Sequence, residues 1–136
     1  MTRWTGGCLC GGVRYEATAE PVVSLACHCR DCQYVSGGGP AYVMIFQRPA
    51  VSIKHGAPQA YVSVADSGAR VARLYCADCG TPLFAHNADH ETHLAVKVGS
   101  LDDPQGFKPA GHIWTRSAPP WHAIDRALPC ADANPF

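Results

Sequence analysis

Hydrophobic and polar residues alternate in short segments along most of the chain, with a period of two residues. This period is typical of strands that bury one face, and it is found in residues 13–17, 41–46, 60–64, 69–75 and 93–98. Gly, Pro and Asp residues separate these segments at 36–40, 55–58, 66–68 and 102–104, as tight turns require. No helical period lasts three turns, and residues 30–35 form the one predicted helical piece. The pattern predicts a mainly β fold with little helix.

Length and charge narrow the class of protein. The 136 residues suit a single domain, 1–136, with a core at about residues 4–124 and an irregular Pro-containing tail at 125–136. Eleven basic and eleven acidic side chains cancel, and no block of Lys or Arg marks a nucleic-acid surface. The first residues lack the apolar segment of a secretory signal, and the longest apolar run is too short to cross a membrane. We therefore expect a cytoplasmic protein with reduced thiols and no nucleic-acid or membrane partner.

Seven of the eight cysteines are clustered, which makes metal binding the central prediction. Cysteines one or two residues apart are poorly placed for disulfides, but their thiolates can converge on one zinc ion at about 2.3 Å. The clusters are Cys8 with Cys10, Cys27 with Cys29 and Cys32, and Cys76 with Cys79. Cys130 lies apart in the tail and is predicted to be a lone thiol.

The first and last clusters form the two halves of a four-sulfur zinc site. Gly80 directly follows Cys79 and allows the backbone to turn its amides towards the sulfurs. Joining the halves closes a loop of about 65 residues, which costs roughly 4–5 kcal/mol. Structural zinc contributes about 10–16 kcal/mol, so metal binding should outweigh that cost. Cys8, Cys10, Cys76 and Cys79 are predicted to hold a closed, structural zinc.

The middle cluster supplies three sulfurs, Cys27, Cys29 and Cys32, and three protein ligands with one exchangeable position are typical of a reactive zinc. His28 lies between two of the ligands and should point away from the metal, either into solvent or into a hydrogen bond beside the site. Asp31 is predicted to cap the helix or form an ion pair. The alternative is that all seven sulfurs are structural, with a fourth ligand to the middle site drawn from His86, His90, His93, His112 or His122.

Five motifs in this order resemble those of the glutathione-dependent formaldehyde-activating enzymes, a family that includes the centromere protein V domain. They are residues 7–15, 27–32 followed by Ser36-Gly37, 75–84, 98–104, and 109–114 with Trp121. The resemblance implies a tent-like zinc fold related to β-sandwiches and built of short antiparallel strands. It also implies two zinc ions per chain, a structural one on Cys8, Cys10, Cys76 and Cys79 and a catalytic one on Cys27, Cys29 and Cys32.

The activity that the resemblance implies is a carbon–sulfur lyase reaction, the condensation of glutathione with formaldehyde to S-(hydroxymethyl)glutathione. A sulfur-rich metal shell should leave an incoming thiolate nucleophilic towards an aldehyde carbon. His28 or His112 could then donate a proton to the developing alkoxide. As another possibility, residues 112–114 form a strand whose His and Trp share one face. The candidate cations for the two carboxylates of glutathione are Arg30, Arg48, Lys97, His112 and Arg116.

Two other functions compete with the lyase hypothesis. A non-catalytic, zinc-stabilised binding module for a protein or small molecule predicts a saturated metal site and an exposed apolar patch. A redox protein using Cys29 and Cys32 as a dithiol is disfavoured, because such motifs occur near a βαβ pattern that this chain lacks.

Overall fold

The computed structural model describes residues 3–135; Met1, Thr2 and the last residue of the tail, Phe136, lie outside the described residues. Within that range the chain forms ten strands and one α-helix, α1, at Arg30–Val35. The strands are β1 Trp4–Gly7, β2 Arg14–Ala17, β3 Val23–Cys27, β4 Ala41–Gln47, β5 Val51–His55, β6 Gln59–Val64, β7 Arg70–Tyr75, β8 Pro82–Asn87, β9 His93–Lys97 and β10 Gly111–Ile113. Short 3-10 turns lie at Arg48–Ala50, Ala88–His90, Val98–Ser100, Pro104–Gly106 and Thr115–Ser117. The mainly β prediction is confirmed.

The strands form two sheets. One has three strands in the order β1-β2-β5, and the other has seven in the order β10-β3-β4-β9-β8-β7-β6. Every pair is antiparallel except β10 with β3, which run in parallel. The exception arises because the chain crosses back through residues 98–110 before β10 enters the edge of the sheet beside β3.

The alternating segments of the sequence correspond to β2, β4, β6, β7 and β9, and the predicted helical piece is α1. Strands β1, β3, β5 and β8 were not predicted, and of these β3 and β8 were missed because they do not alternate. Leu25, Ala26 and Cys27 are all buried in β3, as are Leu83 and Phe84 in β8. Strands that are covered on both faces lose the period of two on which the prediction depends.

The main core lies between the two sheets. Its strand residues come from β2, β4, β8 and β9 and include Tyr15, Met44, Phe46, Phe84 and Val96. A second, smaller cluster lies on the opposite face of the seven-stranded sheet, which we call the outer face. Because side chains alternate along a strand, Val43 and Ile45 of β4 point to the outer face while Met44 and Phe46 point to the main core. Helix α1 packs on the outer face through Cys32.

Residues 125–135 contain no named strand or helix, yet they are tied to β10. The His112 amide donates to the Pro129 carbonyl at 2.9 Å, and the Ala131 amide donates to the His112 carbonyl at the same distance. Trp114 does not continue β10, because its φ of 57° lies in the left-handed region. The suggested strand 112–114, with His and Trp on one face, is therefore wrong at its last residue.

Gly56, in the turn between β5 and β6, provides a test of the close approach between that turn and the residues that precede β2. Its φ is +79°, and a Cβ added there would lie 2.0 Å from the Gly12 carbonyl oxygen. We expect Gly56→Ala to lower the free energy of unfolding by about 2–3 kcal/mol, because backbone strain and a backbone clash add together. Urea denaturation measures the change.

Gly68→Ala is the matched control. Gly68 also has a positive φ, +88°, but nothing lies within 4 Å of the added Cβ. This variant should lose only the conformational term, about 1 kcal/mol. Equal losses in the two variants would contradict the close approach of Gly56 to Gly12.

Candidate metal centres and the histidine chain

Four cysteines meet where the turn after β1 packs against the turn between β7 and β8. The sulfurs of Cys8, Cys10, Cys76 and Cys79 all lie within 4.8 Å of one another. Two of the distances are 3.5 Å between Cys8 and Cys10 and 3.8 Å between Cys10 and Cys76. Gly80 has a φ of +77° and donates its amide to the Cys76 carbonyl at 2.8 Å, so the turn closes as the spacing predicted. Four thiols at these separations are a donor set that fits zinc.

The four-cysteine cluster lies partly within the main core. Cys8 and Cys76 are 6% and 3% exposed and pack with Tyr15 and Phe84. The Val13 amide donates to the Cys8 sulfur at 3.1 Å. At Cys79, hydrogen bonds from the Thr81 hydroxyl and amide lower the pKa of the thiol to about 5. These donors favour thiolates, the form in which cysteine binds metal.

The second group, the three-cysteine cluster, is built at the junction of β3 and α1. Cys27 ends β3, Cys29 is the N-cap of α1 and Cys32 lies in the first helical turn. Their sulfurs also lie within 4.8 Å of one another. Among residues 3–135, no histidine, carboxylate or further cysteine joins this group at that distance, so the suggested histidine ligands are not found there. The cluster could hold a metal ion through three sulfurs.

Negative charge concentrates on Cys29 within this cluster. Hydrogen bonds from the Cys27 and Cys32 thiols lower the pKa of Cys29 to about 2, against the effect of burial. The Cys32 amide, which lies 3.3 Å from the Cys29 sulfur, and the charge of Arg73 act in the same direction. Sharing protons with its neighbours raises the pKa of Cys27. The Cys29 sulfur is therefore the most readily ionised donor of the three.

His28 is fully buried, so the suggestion that it faces solvent is wrong. Its ring bridges two other buried histidines from the C-terminal part of the chain. Nδ1 of His28 lies 2.8 Å from Nδ1 of His122, and Nε2 of His28 lies 2.9 Å from Nδ1 of His112. The Nε2 of His122 lies 2.8 Å from the Gly38 carbonyl oxygen. Three histidines thus tie the loop of the three-cysteine cluster to residues that are far away in the sequence.

One backbone amide fixes the proton positions along this histidine chain. The Asp125 N–H donates to Nε2 of His112 at 3.2 Å, so the proton of a neutral His112 must lie on Nδ1. His112 then donates to Nε2 of His28, which leaves the His28 proton on Nδ1. That proton is donated to Nδ1 of His122, whose own proton on Nε2 is donated to Gly38. Every ring nitrogen has a partner when all three rings are neutral.

Burial favours the neutral form of His28 and of His112. It lowers the pKa of His28 to about 4, with a further contribution from His112 and His122, and it also lowers the pKa of His112. The protons of His28 and His112 are both donated to another ring, so neither histidine directs its proton towards a substrate in this arrangement. The geometry therefore favours a positioning role for them over the suggested role as proton donors.

We expect long-range ¹H–¹⁵N NMR to find His28 and His112 as Nδ1–H tautomers and His122 as the Nε2–H tautomer. The expectation follows because the three histidines can satisfy all their hydrogen bonds with only one donor-to-acceptor direction. His93, which does not belong to the histidine chain, serves as the reference ring. An Nε2–H tautomer at His28 would contradict the proton positions assigned to the three histidines.

Comparison with known proteins decides the family. The family model for glutathione-dependent formaldehyde-activating enzyme matches residues 3–117. The chain belongs to this family. It is also 36% identical, over 105 residues, to a Penicillium rubens protein provisionally named a glutathione-dependent formaldehyde-activating enzyme. That match covers 74% of this chain and 54% of the relative, so the chain spans about half the length of the curated relative.

A solved structure agrees with the fold of this family member. A crystal structure of a Rhodobacter sphaeroides protein superposes with a TM-score of 0.58 at 19% identity, covering 77% of this chain and 91% of the other. At that identity the likeness concerns the fold alone. Over residues 3–135, none of the helices has the length and apolar character needed to span a membrane.

The cations of this formaldehyde-activating family member are spread over several surfaces. Arg30 lies over the Tyr34 ring, Arg48 is 2.9 Å from His86, and Arg116 lies over the Trp114 ring. Lys97 is one of the candidates for binding glutathione, and its charge acts on the Cys32 thiol of the three-cysteine cluster. Arg73 acts on Cys29 and was not predicted. Its only signal in the sequence is its place in an alternating strand, which does not reveal what lies opposite.

Proposed function

We propose that this chain is a zinc-dependent carbon–sulfur lyase-type enzyme that acts on thiol adducts, with glutathione as the thiol and formaldehyde as the aldehyde. The observation that carries the proposal is the three-cysteine cluster, Cys27, Cys29 and Cys32, which has three sulfurs within 4.8 Å and no fourth donor among the described residues. Membership of the family supports the assignment of thiol and aldehyde.

In the proposed reaction, the sulfur of the thiol adds to the carbonyl carbon of the aldehyde. The S–C bond forms, the C=O π bond breaks, and the oxygen takes up the proton that the thiol has lost, so no oxidant or reductant is needed. Zinc held by the three cysteines would supply an open coordination position that lowers the pKa of the incoming thiol. Cleavage of the adduct is the same sequence in reverse.

The protein's own residues hold this site in place. Cys29 caps α1 through its contact with the Cys32 amide, so the helix sets the spacing of two of the three sulfurs. The Gln33 side chain donates to the His28 carbonyl at 2.8 Å and to the Ser117 carbonyl at 3.0 Å. Together with the histidine chain, these bonds keep the loop fixed, and a zinc ion held by its three sulfurs would have one coordination position left for a substrate.

We assign Cys8, Cys10, Cys76 and Cys79 to a structural zinc, which gives two zinc ions per chain. The supporting observations are four sulfurs within 4.8 Å and the burial of Cys8 and Cys76 in the main core. A site with four protein ligands has no position for a substrate. The dependence on seven reduced thiols favours the cytoplasm.

NMR exchange spectroscopy of glutathione with formaldehyde tests the proposal. The zinc-loaded protein should accelerate exchange by at least about tenfold over buffer, the effect of lowering the barrier by about 1.4 kcal/mol. The Cys29→Ser variant at equal concentration should give the buffer rate, because one of three ligands is lost. Equal rates for the two proteins would remove the formaldehyde assignment.

The alternative, a zinc-stabilised binding module without catalysis, has one observation in its favour. Strand β6 is at the edge of the seven-stranded sheet, and its side chains Tyr61, Val62 and Val64 are exposed. An exposed edge strand with apolar residues can pair with a partner. A protein that binds no free thiol and does not accelerate exchange would favour this function.

A further inference from the structure

A cavity of about 220 Å³ is lined by two cations, Arg73 and Lys97, whose strand positions lie on the same face of the sheet as Cys27 of the three-cysteine cluster. We propose that this cavity is an anion site that binds a carboxylate of the thiol substrate and so selects acidic thiols over neutral ones. This inference rests on the proposed function and adds to it the substrate class and the residues that recognise it.

The register of the sheet places both cations on the same side as the cysteines. Lys97 pairs with Val43, and Val43 pairs with Leu25, which is two residues before Cys27 on the same face of β3. Arg73 pairs with Ala85, which pairs with Ala95, two residues before Lys97. Side chains at paired positions share a face, so both cations lie on the outer face with Cys27. Helix α1 borders the cavity through Val35 and the cluster through Cys32.

Lys97 is unusual because it is only 8% exposed. Buried lysines are nearly always paired with a carboxylate, yet no ion pair joins Lys97 to a carboxylate among residues 3–135. The register of the sheet instead places it on the outer face with Cys27. A largely buried lysine that lines a cavity whose lining includes no carboxylate is well placed to bind an anionic ligand.

Arg73 supplies a second donor with the right geometry. Its guanidinium donates to the Ser63 hydroxyl at 2.6 Å and lies 3.7 Å from a carboxylate oxygen of Asp31. The Asp31 side chain is 58% exposed, and ion pairs with such a partner contribute little to stability, so a ligand carboxylate can replace it. The planar guanidinium fork matches a carboxylate better than an ammonium does.

Size and charge agree with a small anionic group. About 220 Å³ is smaller than a typical pocket for a whole drug-sized ligand, so the cavity suits one end of a substrate. The cations also face three cysteine sulfurs, and a competing explanation is that they only compensate the charge of those thiolates. The two explanations differ in one respect: a carboxylate site discriminates between thiols with and without a carboxylate, whereas charge compensation affects both thiols equally.

The test is calorimetric titration of the zinc-loaded protein with two matched pairs of thiols. The first pair is 3-mercaptopropionate and 3-mercaptopropionamide, and the second is glutathione and its glycine ethyl ester. In at least one pair, the thiol with the additional carboxylate should bind about tenfold more tightly, as expected for a charge-assisted contact. Equal affinities within both pairs overturn the carboxylate site but leave the proposed thiol chemistry standing. Failure of all four thiols to bind overturns both.

Lys97→Met and Arg73→Gln assign the preference to these side chains. Each variant should reduce the ratio of affinities towards one, while the neutral thiols keep their affinity. Lys54→Met and Arg70→Gln are matched controls, because both residues are exposed and neither lines the cavity. A ratio that survives in both cavity variants overturns the proposal, as does an equal loss of affinity for acidic and neutral thiols.

Discussion

Replacing Cys76 with serine is expected to abolish cooperative folding of the chain. Cys76 is 3% exposed, and the four-cysteine cluster joins the turn after β1 to the turn between β7 and β8. Structural zinc sites contribute about 10–16 kcal/mol, which equals or exceeds the typical stability of a whole domain, about 5–15 kcal/mol. A serine hydroxyl is a poor zinc ligand, so most of this contribution should disappear. Loss of the dispersed NMR spectrum and of a cooperative thermal transition measures the effect.

Two further samples make this result specific. Cys130→Ser should fold like the parent, because Cys130 is exposed and belongs to neither cluster. Prolonged chelation of the parent protein should give the same unfolded state as Cys76→Ser, because removing the metal and removing one of its ligands both abolish the free energy of metal binding. A cooperatively folded Cys76→Ser variant without zinc would show that the packing of the main core is sufficient and that the four-cysteine cluster is not structural.

The sequence predicted which sulfurs the fold would bring together. Spacings of one and two residues place thiols on the same turn, and such local geometry depends little on the rest of the fold. Only the contact between the Cys8–Cys10 pair and the Cys76–Cys79 pair closes a long loop. That contact was predicted because each pair supplies half of a four-sulfur site. The observed groups of four and three sulfurs match that division. The helical turn at Arg30–Val35 was similarly local, because Cys29 caps it.

The contacts of the histidine chain could not be predicted from the sequence. His28 lies 84 and 94 residues from His112 and His122, and a single histidine carries no pattern that identifies its partner. The contact between His28 and His112 depends on β10 running parallel to β3, which places His112 beside Ala26. It also depends on residues 125–131 bonding along β10, in a segment without periodicity. Arg73 escaped for the same reason, since only the sheet register reveals that it faces the cysteines.

Replacing Cys29 with serine is expected to have the opposite effect to Cys76→Ser: the fold should survive and the activity should disappear. Serine is a favourable N-cap, so the hydroxyl can accept the Cys32 amide in place of the sulfur, and α1 should still form. The main core does not include Cys29, and the histidine chain does not use its side chain. The melting temperature should therefore fall by only a few degrees, corresponding to about 1 kcal/mol.

The metal content provides the deciding measurement. The parent protein should hold two zinc ions per chain, and Cys29→Ser should retain one after dialysis against a weak chelator, because two remaining sulfurs bind zinc poorly. The retained ion should resist removal until the protein unfolds, since the four-cysteine cluster is part of the folded core. If Cys29→Ser instead failed to fold or lost both ions, the division into one structural and one reactive centre would be wrong. The three-cysteine cluster would then stabilise the fold, and the open coordination position on which the proposed thiol chemistry depends would lose its main support.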